Sequence, residues 1–215
     1  MRFSFYIVFL IFCLLLVACS HVMTARKEWD AGNYAGAIKE SKLALAQDST
    51  NVDAYILLGN AFFETGKIDS AQWAFEKALH YAPDDTTAQT GLAKTIVHQA
   101  DELAENEEHW DAIDLYQQAL DVKPEQPAVL ETLGDVYVAV NKPGDALTAY
   151  ESALQLNADS TTLQKKISDL KAERESSETL IEKGKVQLED YKYKASHETF
   201  EKALALKPDS KNARY

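Results

Sequence analysis

The chain has 215 residues, 22 basic against 34 acidic side chains, a formal net charge of −12, and only 8 glycines and 5 prolines. The acidic surplus argues against nucleic acid or an anionic membrane surface as a partner, since both are held by clustered Lys and Arg. The scarcity of Gly and Pro excludes a linker-rich or low-complexity protein, and the length suits one domain or a short array of repeated units.

Residues 1–18 differ from everything that follows. Arg2 is their one charge, and an apolar run from Phe3 to Val17 is broken only by Ser4. That run is short for a helix crossing about 30 Å of hydrocarbon, and small residues follow it, so it reads as a targeting segment. Leu16-Val17-Ala18-Cys19 resembles a bacterial lipobox. The resemblance implies cleavage after Ala18, lipidation of Cys19 and, by family analogy from Ser20, an outer-membrane rather than inner-membrane address on the periplasmic side. Cys13 then leaves with the signal, and no cysteine pair remains to oxidise.

Val52 to Asp85 is the stretch that explains the rest. Tyr55, Leu58 and Phe62 stand at i, i+3 and i+7 on one predicted helix, and Ala71, Phe75 and Ala78 at helical spacing on a second. Gly66 marks the turn between them and Pro83 the stop. A pair this short cannot bury its apolar face alone and needs copies of itself. The copies are present. Gly32, Tyr34, Ala37 and Ala44 lie 34 residues earlier, in a first unit (19–51) that has Ser41 in place of the aromatic. Ala112, Tyr116 and Ala119 lie 41 residues later, in a unit (86–126) extended by seven residues. Seven residues fall only about 20° short of two helical turns, so a first helix lengthened to near Asn106 keeps its packing face, with Trp110 packing at the turn.

Leu130, Leu133-Gly134, Tyr137, Ala146, Tyr150 and Ala153 restore the 34-residue spacing in a unit spanning 127–160. A segment of 16 extra residues (161–176) precedes the last unit (177–210), which carries Gly184, Ser196, Phe200 and Ala203; 211–215 is a tail. Leu163, Ile167, Leu170, Arg174, Ser177, Ile181, Gly184 and Leu188 form a 4-3-4-3 ladder through this region. One long helix and two helices broken near Glu175 both satisfy it.

This spacing resembles the tetratricopeptide repeat (TPR), and the unit from Val52 matches that family at every signature position. The resemblance implies an all-α, right-handed α-α solenoid of about five helix pairs, with first helices lining a concave face that binds a protein or peptide. The inner positions it assigns are Asp53, Ile56, Asn60, Phe63 and Glu64; Lys94, Val97 and His98; Glu131, Asp135 and Val138; and Glu178, Ile181, Glu182, Lys185 and Glu189. Acidic residues outnumber basic ones there, which favours a basic, amphipathic partner segment. The five histidines show no metal-ligand spacing, and no phosphate loop or nucleophile motif is present, so neither metal, cofactor nor catalysis is expected. By resemblance to similar lipoproteins of pilus biogenesis and outer-membrane protein insertion, the expected role is a membrane-anchored interaction scaffold of the cell envelope. The alternatives are a self-assembling structural protein, associating at an apolar C-terminal edge around Phe200, Leu204 and Leu206, and a regulatory adaptor subunit of an envelope hydrolase.

Overall fold

The computed structural model describes residues 20–189 and 192–206, all but the turns helical. The lipobox with Cys19, the segment 207–210 and the tail lie outside the described residues. Ten helices follow in order: α1 (20–30), α2 (Tyr34–Gln47), α3 (Val52–Glu64), α4 (Ile68–Tyr81), α5 (Thr86–Glu105), α6 (His109–Val122), α7 (Pro127–Ala139), α8 (Pro143–Leu156), α9 (Thr161–Glu189) and α10 (Tyr193–Leu206). None of the described helices is long and apolar enough to cross a membrane.

The helix boundaries have local causes. Asn33, Asn51 and Asp85 cap α2, α3 and α5, each accepting a backbone N–H of the first turn, from Gly36 (3.1 Å), Ala54 (2.9 Å) and Ala88 (2.8 Å). The turn inside each of the first four pairs passes through one residue with positive φ. Gly32 (+73°) and Gly66 (+70°) supply it without strain, whereas Glu107 (+65°) and Asn141 (+59°) occupy the same repeat position with a side chain. The four stand at the offsets of 34, 41 and 34 residues that the sequence frame gives.

The chain forms two compact units, one running to Leu103 and including Asp114–Pro124, the other comprising Ala104–Ile113 and everything from Glu125. In the first unit, Leu58, Phe62, Ala71, Phe75, Leu92, Ile96 and Ala119 make one core. Phe75 is wedged against two glycines: a methyl on Gly59 would come 2.8 Å from its ring, and one on Gly91 closer still. Glycine's cost in a helix, about 1 kcal/mol relative to Ala, is offset by burying that ring, which contributes about 1.5–3 kcal/mol. Ser41, where other pairs carry the aromatic, is fully buried with its hydroxyl unpaired.

In the second unit Tyr150 sits on Gly134, and Phe200 on Gly184. The ladder through residues 163–188 forms a single 29-residue helix, α9, which joins the extra segment to the first helix of the last pair. No Gly or Pro interrupts residues 161–183, and Lys171 to Glu175 are good helix formers. The first part of α9 packs Leu163 and Ile167 on Tyr150 and Ala153; the second packs Ile181 on Phe200 and Ala203. Residues 171–176 between them are exposed on every side. Trp110 is 58% exposed and does not pack at its turn, because Glu107 and Glu108 before it are solvated and leave no apolar surface there.

Candidate partner-binding site

In the first unit, α3 and α5 expose a polar pocket of about 390 Å³, lined by Asn60, Thr86, Thr87, Thr90, Lys94 and Lys123, with the Gly91 backbone between them. Lys123, just past α6, donates from Nζ to Thr90 Oγ1 at 2.8 Å. Lys94 stands 4.2 Å above the Phe63 ring centroid and 3.6 Å from Glu64 Oε1. Phe63 in turn meets His98 edge-on at 5.6 Å. Two ammoniums, an amide and threonine hydroxyls therefore line one pocket, and Lys94 carries it to the half-buried ring of Phe63. Such a set can hold a carbonyl or carboxylate oxygen while an adjacent apolar side chain lies on Phe63.

The inner positions assigned from the frame fare differently from one another. Asn60 and Lys94 line this pocket, Phe63 and Glu64 meet Lys94 at its edge, Val97 is half-buried against the core, and Asp53 is exposed with Arg26 3.9 Å away. Ile56 is 8% exposed and packs in the core with Tyr55, Ala78 and Ala88, so it offers nothing to a partner. The reason is that Ala54 to Gly59 are all buried: the middle of α3 is enclosed, and beyond its first turn only Asn60, Phe63 and Glu64 are open.

In the second unit Glu131 and Asp135 are engaged by the protein itself. Lys166 of α9 places Nζ 2.9 Å from Glu131 Oε1 and 2.7 Å from Asp135 Oδ1, and lies 5.2 Å over the Tyr150 ring centroid. The Tyr150 hydroxyl donates to the same Asp135 Oδ1. Burial, then the bond to Asp135, pushes the Tyr150 hydroxyl pKa well above the usual phenol range. Burial alone would lower the Lys166 pKa, but its bonds to Asp135 and Glu131 outweigh that and raise it.

The remaining assigned positions are simpler. Val138 is exposed, Glu182 and Lys185 are exposed and 3.7 Å apart on one helix face, and Ile181 is buried under Phe200. Phe200 is itself covered, so the expected apolar edge reduces to part-buried Leu204 and exposed Leu206.

The acidic wall read from the sequence is thus largely balanced, by Arg26, Lys94 and Lys166. Lys166 went unseen because the frame assigned it to an extra segment, and Lys123 because it follows a helix. One signal was available: Tyr116 and Tyr150 stand 15 residues after Asp101 and Asp135, and each donates its hydroxyl to that carboxylate. At the same offset Phe75 and Phe200 face Asn60 and Lys185, with no such bond to make.

Sequence models described as tetratricopeptide repeat match residues 28–95 and 97–161. Type IV pilus assembly protein PilF of Pseudomonas aeruginosa is 25% identical over 147 residues, covering 55% of this chain and 58% of the relative. Human Superkiller complex protein 3 is 31% identical over 109 residues, covering 51% of this chain and 6% of the relative. The chain therefore spans less than two thirds of either relative's length. Among solved structures, a MamA protein superposes with a TM-score of 0.52 at 20% identity, covering 92% of this chain and 94% of that one. MamA from Desulfovibrio magneticus gives 0.51 at 14% identity, covering 90% and 97%. With family matches running over most of 28–161 and helix pairs that superpose on those of MamA, the chain belongs to the tetratricopeptide repeat family and is built for protein–protein interaction.

Proposed function

We propose that the chain is a lipid-anchored, non-catalytic interaction scaffold of the bacterial cell envelope, held at Cys19 and facing the periplasm from the outer membrane. Its partner is a protein segment bound along α3 and α5. Asn60, Thr90, Lys94 and Lys123 take a backbone carbonyl or a carboxylate of that segment, and Phe63 with Val97 takes a neighbouring apolar side chain. The observation that carries this reading is the polar pocket beside Phe63, in which two ammoniums converge in an otherwise acidic chain. Leu16-Val17-Ala18-Cys19 supports the anchor, and similarity to a type IV pilus assembly protein supports an envelope assembly role.

A photocrosslinking residue at Asn60 or Thr87, activated in the native envelope, should capture a defined partner, and Lys94→Ala with Lys123→Ala should abolish the product. Capture at unchanged yield from that double variant would move binding away from this pocket. In the same cells, Cys19→Ser should release the protein on mild washing, because buried acyl chains, at about 0.8 kcal/mol per methylene, are its attachment. Retention through high salt and carbonate would refute the lipid anchor.

A further inference from the structure

A second open pocket in the first unit, of about 610 Å³, lies among α2, α3 and α4 and shares no lining residue with the pocket between α3 and α5. Leu58 and Phe62 form its buried floor, with Tyr55 beside them, and Trp73 forms a wall that is 46% exposed. Tyr55 meets Trp73 edge-on at 5.9 Å and stacks on Tyr81 at 6.0 Å. Lys42 and Lys67 bring their ammoniums to 5.6 and 5.9 Å from the Phe62 ring centroid. Neither lysine has an ion-pair partner among the described residues. The first turn of α4 beside them has no side-chain cap, and Asp69 is the sole carboxylate of the lining.

Comparison with the next repeat shows that this arrangement is particular to its place. Offsets of 34 residues for α2 and α3, and of 41 for α4, carry Lys42, Lys67, Ser70 and Trp73 onto Glu76, Glu108, Asp111 and Asp114. Tyr55 and Phe62 become Gln89 and Ile96. The repeat fold therefore needs neither the aromatic lining nor the positive rim, and in a chain of net charge −12 two unpaired lysines beside an aromatic pocket are a local inversion of sign.

We propose that this pocket is a second docking surface, for a partner segment in which a large apolar side chain is flanked by carboxylates. The apolar group enters between Phe62 and Trp73, and the carboxylates meet Lys42 and Lys67, whose charge Asp69 offsets only in part. The pairing follows charge complementarity, which governs partner choice and encounter rate, and an aromatic pocket of this kind is where binding energy concentrates. The proposal is independent of the α3–α5 site, so either can fail without the other.

The test uses the full chain in detergent and three fluorescein-labelled peptides of equal length. One has a central Trp-Leu pair flanked by Asp and Glu, one has those acids changed to Lys, and one has Trp and Leu changed to Ala. Fluorescence anisotropy should show saturable binding of the first peptide and at least about tenfold weaker binding of the other two. Lys42→Glu with Lys67→Glu, which installs the charges of the next repeat, should weaken the first peptide by about tenfold or more, while Lys183→Glu, at an exposed lysine of α9 that lines neither pocket, leaves it unchanged. Trp73→Asp should weaken it as well; if that variant melts early, the exposed lysine pair decides. Equal affinity for the three peptides, no saturation below about 1 mM, or indifference to the lysine pair would overturn the proposal. So would loss of phosphatidylglycerol-vesicle binding in the lysine variant without any peptide binding, which would assign the lysines to a lipid surface.

Discussion

The pairs α3/α4 and α7/α8 follow one repeat pattern and use it differently. In the first, Phe75 lies between Gly59 and Gly91, and Asn60, next to Gly59, lines the pocket of Lys94 and Lys123. In the second, Tyr150 lies on Gly134, and Asp135, next to that glycine, accepts the tyrosine hydroxyl. Sixteen residues beyond each aromatic stands Gly91 in the one case and Lys166 in the other. The tyrosine oxygen and Lys166 thus engage Asp135 within the fold, whereas Asn60, facing a phenylalanine, has no such bond to make and stays at the pocket. Exposure alone does not identify a binding residue in such a repeat; what its atoms already touch does.

The largest effects break the feature both pairs share. Gly59→Val forces a branched side chain into the Phe75 ring, and Gly134→Val does the same at Tyr150. Overpacking a core in which neither ring can withdraw should cost about 3 kcal/mol in each case, seen as a lower urea midpoint. A loss below about 0.5 kcal/mol would mean that the rings are free to move and that the glycines do not set the helix approach.

A middle-sized effect separates the pairs. Asp135→Lys removes the acceptor of Tyr150 and sets a second ammonium against Lys166, so about 2 kcal/mol of stability should be lost. Asn60→Lys, at the matching position of the other pair, touches no such network and should stay within about 0.5 kcal/mol. Equal urea midpoints for these two variants would show that Asp135 is a free surface charge after all.

How much of this was legible in the sequence varies with what kind of constraint writes it. The packing residues recur at fixed offsets because every pair solves the same close-approach problem, so Ala71, Ala112 and Ala146 declare themselves, and so does the turn that passes through Gly32 and Gly66. The continuity of α9 was not legible, since a 4-3-4-3 ladder is satisfied by one helix or by two, and residues 171–176 gain no burial that would choose between them. At the site, the open end of α3 was legible at Asn60 and Phe63, but Ile56 was not, because its burial depends on neighbours that enclose the middle of that helix. Lys166 and Lys123 reach their partners from 31 or more residues away, and no periodicity announces a lysine stem crossing between repeats.

The smallest effect tests the oxygen itself. Tyr150→Phe keeps the ring over Gly134 and deletes the hydroxyl, leaving Asp135 to Lys166, so near neutral pH the loss should be about 1 kcal/mol. Its dependence on pH is more telling than its size. Folding raises the pKa of Tyr150, chiefly by burial and then through Asp135, and raises that of Lys166, where the bonds to Asp135 and Glu131 outweigh burial. Groups that hold their protons more tightly when folded give their full stabilisation below the unfolded pKa values, about 10 for Tyr and 10.4 for Lys, and lose it as pH rises beyond them. The wild type should therefore lose stability above about pH 10, and Tyr150→Phe, which lacks one of the two groups, should lose less. Urea denaturation at pH 7 and through the alkaline range should show the two proteins converging. A gap that stays constant into that range would mean that the hydroxyl acts through packing alone, and that Asp135 owes its place to Lys166 rather than to the tyrosine 15 residues after it.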